Sequence, residues 1–131
     1  MILVDTSIWI DLLKKNSARL VQEDDLLRFV TCGPVVQEIL QGLRPGHQSD
    51  HFRSNFLALP VLSDPISIAL YLSAADIYRQ GRRRGITIRS SIDCLIAAIA
   101  IENSVPIWRR DRDFEAIAGY TSLEVVPAAS L

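Results

Sequence analysis

The chain opens on three apolar residues, Ile2-Leu3-Val4, and passes at once to Asp5-Thr6-Ser7. A strand with one wet face alternates polar and apolar residues, because successive side chains point to opposite faces. This segment does not alternate. An unbroken apolar strand suits the centre of a parallel sheet covered on both faces. Parallel strands need crossover connections, usually helices. Asp5-Thr6-Ser7 is rich in helix N-cap types, and Ile8, Trp9, Leu12 and Leu13 then recur at helical spacing. The opening therefore predicts an α/β fold with a carboxylate at the carboxyl end of a buried strand.

The rest of the chain repeats the pattern. A second helix is expected from about Ala18 to Arg28, then a strand at Phe29-Val30-Thr31. Gly33-Pro34 ends that strand, and Pro34 suits the first position of a helix whose apolar face is Val35, Val36, Ile39, Leu40 and Leu43. Arg44 to Ser49, with Pro45 and Gly46, reads as a loop. A helix from about Asp50 to Ala58 leads to a strand at Leu59-Pro60-Val61-Leu62. Asp64-Pro65 is read as the start of a long helix to about Arg84, with Gly85 as its stop. Ile86-Thr87-Ile88 fits either a brief strand or a connection. Ser90-Ser91 precedes an almost wholly apolar helix to about Asn103, and Val105 to Trp108 is the next strand. Asp111 to Ala118 reads as a short helix and Leu123 to Val126 as a last strand. Strands alternating with helices indicate an α/β domain with a mostly parallel sheet. No repeat, low-complexity tract or linker interrupts residues 1–131, so one domain is expected.

Composition narrows the function classes. With 49% hydrophobic and 22% charged residues, the chain has a core to bury and is not of the disordered kind. Its longest apolar run, Cys94 to Ile101, is well short of the ~18 residues of a membrane span. No basic segment precedes Ile2, so no secretory signal is expected. Cys32 and Cys94 are isolated, form no metal or redox motif, and read as buried thiols of a cytoplasmic protein. The net charge of −1 says nothing about partners, but its distribution does. Lys14 and Lys15 are the only lysines among 14 basic residues, so the other twelve are arginines. Arg79, Arg82, Arg83, Arg84, Arg89, Arg109, Arg110 and Arg112 fall in one stretch. Guanidinium forks match phosphate oxygens, so the cluster fits a nucleic-acid footprint. It fits equally a solvated helix end, where arginines favour the dipole.

In open α/β sheets, ligands bind beyond the carboxyl ends of the strands. Asp5 follows the first strand, and Asp111 and Asp113 follow the strand ending near Trp108. Glu38 lies one turn into the helix after the second strand, and Asp93 in the first turn of the apolar helix. Each has a plainer explanation. Asp5 and Asp111 are possible helix caps, Glu38 a solvent-facing residue, and Ser90-Ser91-Ile92-Asp93 a capping box. Should the strand order bring these acids to one edge, their charges would repel. A hard divalent cation, Mg²⁺ or Mn²⁺, would relieve the repulsion through oxygen ligands. Such a site suits phosphodiester hydrolysis. Spacing alone leaves the strand order open.

Four segments resemble PIN domains. Val4-Asp5-Thr6-Ser7-Ile8-Trp9-Ile10 is similar to the family's opening motif, and Val35-Val36-Gln37-Glu38-Ile39-Leu40-Gln41-Gly42 to its second acidic motif. Arg84 to Ala98, containing Arg89-Ser90-Ser91-Ile92-Asp93, resembles the third and is especially like VapC toxins. Asp111-Arg112-Asp113-Phe114 resembles the fourth. The resemblance spans Val4 to Phe114 in the family's order. It implies a three-layer α/β/α fold around a five-stranded, mostly parallel sheet ordered 3-2-1-4-5. It implies a metal-dependent endoribonuclease with Asp5, Glu38, Asp93 and Asp111 as catalytic, metal-binding acids, using Mg²⁺ or Mn²⁺. Asp113 is an additional metal candidate, and Thr6 and Ser7 support Asp5 or a metal-bound water. Arg82, Arg83, Arg84, Arg89, Arg109, Arg110 and Arg112 are the residues expected to bind RNA. The family implies an RNA substrate, often structured like tRNA, a homodimer, and a VapB-type antitoxin whose C-terminal segment covers the site. One position departs: Arg109 stands where family members often carry Thr or Ser.

His47 and His51 are spaced as a helical zinc pair but have no third ligand nearby in sequence, and read as surface residues. Trp9 and Trp108 suit the core better than base stacking. The stripe Ile68, Leu72, Ala75 and Tyr78–Arg79 fits either a dimer interface or burial in the core. Two other functions compete. A phosphatase with Asp5 as nucleophile would want a second aspartate where Ser7 stands. A non-catalytic RNA- or protein-binding module would use the acidic pocket only to receive an antitoxin arginine.

Overall fold

A computed structural model describes residues 1–15, 27–110 and 112–127. The helix expected from about Ala18 lies outside the described residues, apart from Leu27 and Arg28, which form a turn. Five strands form one sheet: β1 (Ile2–Val4), β2 (Phe29–Cys32), β3 (Val61–Leu62), β4 (Ile107–Arg109) and β5 (Val125–Pro127). Their order is β3-β2-β1-β4-β5, and each adjacent pair is parallel. The expected order is thus the observed one. The register sets Leu3 beside Val30 on one side and Ile107 on the other, with Val4 beside Trp108.

Six helices are described: α1 (Thr6–Lys15), α2 (Gly33–Gly42), α3 (His47–Leu57), α4 (Ile68–Arg83), α5 (Ser91–Glu102) and α6 (Arg112–Ala118). They cover both faces of the sheet. Leu3 and Val4 are adjacent, point to opposite faces, and are both wholly buried. The unbroken apolar run of β1 has this cause. Trp9 of α1 packs edge-on against Phe29 of β2 and against Phe52 and Phe56 of α3. α5 is buried continuously from Cys94 to Ala100, which explains a helix with almost no polar face. None of the described helices is long and apolar enough to cross a membrane.

Several boundaries differ from expectation. α4 begins at Ile68, not at Asp64-Pro65, which forms a bend with a cis peptide bond. Ser67 is its N-cap, with a side chain that accepts the Leu70 N–H at 3.3 Å. α3 begins at His47, three residues early, so part of the expected loop is helical. Of the two alternatives for Ile86 to Ile88, the connection is the one observed. β4 extends to Arg109, and β5 is displaced to Val125–Pro127. Both follow from the ladder, which pairs Arg109 with Pro127.

Candidate active site

The chain adds β2 and β3 on one side of β1, then crosses back to place β4 and β5 on the other. The reversal falls between β1 and β4. Open sheets of this kind leave a crevice at such a switch point, beyond the carboxyl ends of the two strands. Asp5 is the first residue past β1, and its backbone N–H donates to the Trp108 carbonyl of β4 at 3.0 Å. Its side chain belongs to a residue only 5% exposed. Asp5 Oδ2 accepts the Ser7 backbone N–H at 3.2 Å and the Ser7 hydroxyl at 2.6 Å. The capping role foreseen for Asp5 is therefore real, and it fixes the carboxylate beside the crevice. Ser7 Oγ in turn accepts the Arg110 backbone N–H at 3.2 Å, which ties α1 to the segment leaving β4.

Glu38 reaches the same place from α2. The Thr6 hydroxyl donates to Glu38 Oε1 at 3.3 Å, one residue from Asp5. Glu38 is exposed as a residue, but partial burial of its carboxyl raises it above its usual range; the Thr6 bond opposes this and the Asp5 charge adds to it. Cys32, at the end of β2, is pushed up to about 12, first by burial; the Asp5 and Glu38 charges add to this against a backbone hydrogen bond involving Val35. Both acids thus act electrostatically on one neighbourhood.

Asp93 and Asp113 form a second pair around Cys94. Burial raises that thiol to about 11, and the charges of Asp93 and Asp113 raise it further. Ser90 caps α5 without a side-chain hydrogen bond, so the Ser90 half of the capping box offered as a plainer reading of Asp93 is not formed. Asp113 is buried, and its Oδ2 accepts the Arg89 backbone N–H at 3.2 Å and lies 3.7 Å from Arg89 Nε. Asp113 therefore anchors the connection between α4 and α5. Asp111 lies outside the described residues. Among those that are described, no three His, Cys, Asp or Glu side chains are grouped as a metal ion would need. The donor chemistry of Asp5 and Glu38 nonetheless fits a hard divalent cation: both are oxygen donors, and the charge of one already disfavours ionisation of the other.

The arginines separate by position. Arg82, Arg83, Arg84, Arg89, Arg110 and Arg112 are exposed. Arg84 and Arg82 lie over the rings of Tyr120 and Tyr78, and Arg110 pairs with Asp11 at 2.6 Å. Arg109 differs: it is buried in β4, and its guanidinium pairs with Glu115 of α6. Expected as an RNA contact, it is turned inward, because strand extension places it inside the domain. Glu115 was not singled out in the sequence, where an exposed acid on a short helix carries no signal. Trp9 and Trp108 are core residues, so burial excludes base stacking by either in this conformation. His47 and His51 are exposed on α3, and His51 Nε2 lies 3.4 Å from Asn55 Nδ2. Core burial does not account for the α4 stripe, since Ile68 is 73% and Leu72 67% exposed.

The fold and its site define a class first: an open α/β domain of parallel strands with the Asp5 carboxylate at its switch point. A model of the PIN domain matches residues 2–120, and the chain belongs to that family. Ribonuclease VapC11 of Mycobacterium tuberculosis is 36% identical over 130 residues, covering 95% of this chain and 96% of its own. The VapC ribonuclease Mb1587 of Mycobacterium bovis matches to the same extent, 36% over 130 residues. Among solved structures, the DNA-bound VapBC of Salmonella typhimurium has a TM-score of 0.72 at 17% identity, covering 98% of each chain. FitAcB of Neisseria gonorrhoeae has a TM-score of 0.70 at 21% identity, covering 100% of each. These two likenesses bear on the fold.

Proposed function

We propose that this single PIN domain is the ribonuclease toxin of a VapBC pair, hydrolysing phosphodiester bonds in structured RNA such as tRNA. The observation that carries the reading is the buried Asp5 carboxylate at the β1–β4 switch point, next to Thr6, whose hydroxyl holds Glu38. The 36% identity to VapC ribonucleases across nearly the whole chain supports it. Asp5, Glu38, Asp93 and Asp111 would hold Mg²⁺ or Mn²⁺, with Asp113 close behind. A bound ion of this kind supplies a more acidic water and offsets charge on phosphoryl oxygens.

The chain's own residues do the rest. Ser7 holds Asp5 through its hydroxyl and N–H, and Thr6 holds Glu38. Arg82, Arg83, Arg84, Arg89, Arg110 and Arg112 supply positive charge for RNA phosphates. A VapB-type antitoxin silences the site, and two copies pair through the exposed stripe of α4. The protein works in the cytoplasm. The non-catalytic reading loses its support once Arg109 is paired with Glu115 rather than turned to the acids. The phosphatase reading fails at Ser7, which holds Asp5 where that chemistry wants a second carboxylate.

The test is cleavage of a tRNA pool by purified protein with Mg²⁺ or Mn²⁺. EDTA should abolish it, and Asp5→Asn should lower it by at least about 100-fold with the circular dichroism spectrum retained. Full activity in Asp5→Asn would reject the assignment.

A further inference from the structure

A cavity of about 570 Å³ adjoins Glu38, walled on one side by Gln37 and Gln41 of α2 and on the other by Tyr71 of α4, with Ser90 and Ile92 at the start of α5. Its size is ordinary for a small-ligand pocket. Its lining is mixed: amides, a hydroxyl and a phenol face apolar surface, and among the described lining residues Glu38 is the only charged side chain. Gln37 and Gln41 are exposed and one helical turn apart, on either side of Glu38 in sequence. Tyr71 is half exposed and Ile92 is exposed.

This chemistry discriminates between parts of an RNA chain. Apart from the ion that Glu38 would help to hold at the cavity's edge, a phosphate would meet no cation among the described lining residues, since none of the exposed arginines identified above is among them. A nucleobase is uncharged, has a face that stacks on an aromatic ring, and has edges carrying donors and acceptors. An amide offers both kinds of partner. We infer that this cavity is a base-recognition subsite: it takes one unstacked RNA base beside the scissile phosphate, with Tyr71 as the stacking surface and Gln37 and Gln41 as the groups that read its edge. The inference rests on the ribonuclease reading and deepens it, giving these three residues the role of setting where the RNA is cut.

The experiment is sequencing of the cut ends from a random-sequence RNA pool, comparing wild type, Tyr71→Ala, Tyr71→Trp and the double variant Gln37→Ala/Gln41→Ala. The readout is the preference for one base beside the cut, a ratio that does not depend on total cleavage. Wild type should show a preference, Tyr71→Ala should weaken it roughly tenfold, and Tyr71→Trp should keep it. The double variant should flatten discrimination among bases while retaining affinity for stacking. An unchanged cut pattern in both Tyr71→Ala and the double variant, in a wild type that cleaves with clear preference, overturns the subsite and leaves the ribonuclease reading standing. The same pattern with weakened antitoxin binding assigns the cavity to a protein segment and also overturns it. A wild type that cleaves no RNA with either metal overturns both.

Discussion

The Ser7 hydroxyl donates to Asp5 Oδ2 at 2.6 Å while accepting the Arg110 N–H at 3.2 Å, so one side chain joins the ends of β1 and β4 and orients the acid between them. Outer partners that orient a metal-binding carboxylate typically contribute ~10–100-fold to affinity or activity. Ser7→Ala should therefore lower RNA cleavage about 10–100-fold and weaken Mn²⁺ binding in parallel. Ser7→Thr should restore part of both, since it keeps the hydroxyl. Calorimetric Mn²⁺ titration beside cleavage rates checks this; loss of cleavage with unchanged Mn²⁺ affinity would contradict the orienting role.

The Arg109–Glu115 pair is asymmetric: the arginine is 8% exposed at its side chain and the glutamate 60%. Arg109 Nε has no further hydrogen-bond partner among the described residues. Removing the acid strands a buried cation, whereas removing the arginine leaves a carboxylate in water. Glu115→Ala should thus destabilise the domain by about 2 kcal/mol, a value discounted for the glutamate's exposure. Arg109→Leu should cost less than Glu115→Ala. Urea denaturation of both variants checks the order, and the reverse order would contradict it.

The two buried thiols predict alkaline lability. Burial raises Cys32 to about 12 and Cys94 to about 11, from an ordinary 9.0. The folded chain keeps these protons where the unfolded chain gives them up. The stabilisation is therefore complete below pH ~9 and falls as pH rises from there toward ~11–12, by up to about 1.4 kcal/mol per pH unit for each fully titrating thiol. Denaturation midpoints between pH 8 and 10.5 should decline, and the decline should be shallower in Cys32→Ala. An identical pH slope in that variant would contradict the role given to Cys32. Neither thiol should react quickly with iodoacetamide at pH 8 in the folded state.

How much of this was legible beforehand depends on what local pattern can encode. Ile2-Leu3-Val4 announced its own burial because no polar residue alternates, and the 94–101 run announced a core helix. The acids could be placed at strand exits and helix starts one at a time. Their common edge could not, because strand order is a long-range property; the likeness of four motifs to PIN domains supplied it. Asp64-Pro65 misled as a helix start because Ser67 offers the better cap. Arg109 misled because its burial depends on how far β4 pairs with β5. The cavity beside Glu38 was invisible because its walls come from α2, α4 and α5, which are distant in sequence.

The proposed chemistry requires Asp5, Glu38, Asp93 and Asp111 to share one divalent ion. Anomalous diffraction from crystals soaked in Mn²⁺ tests this most directly. A strong peak should appear beyond the ends of β1 and β4, in contact with Asp5 and at least two of the other three acids, and be lost in Asp5→Asn. No peak there at saturating Mn²⁺, or a peak that persists in Asp5→Asn, would contradict the shared ion.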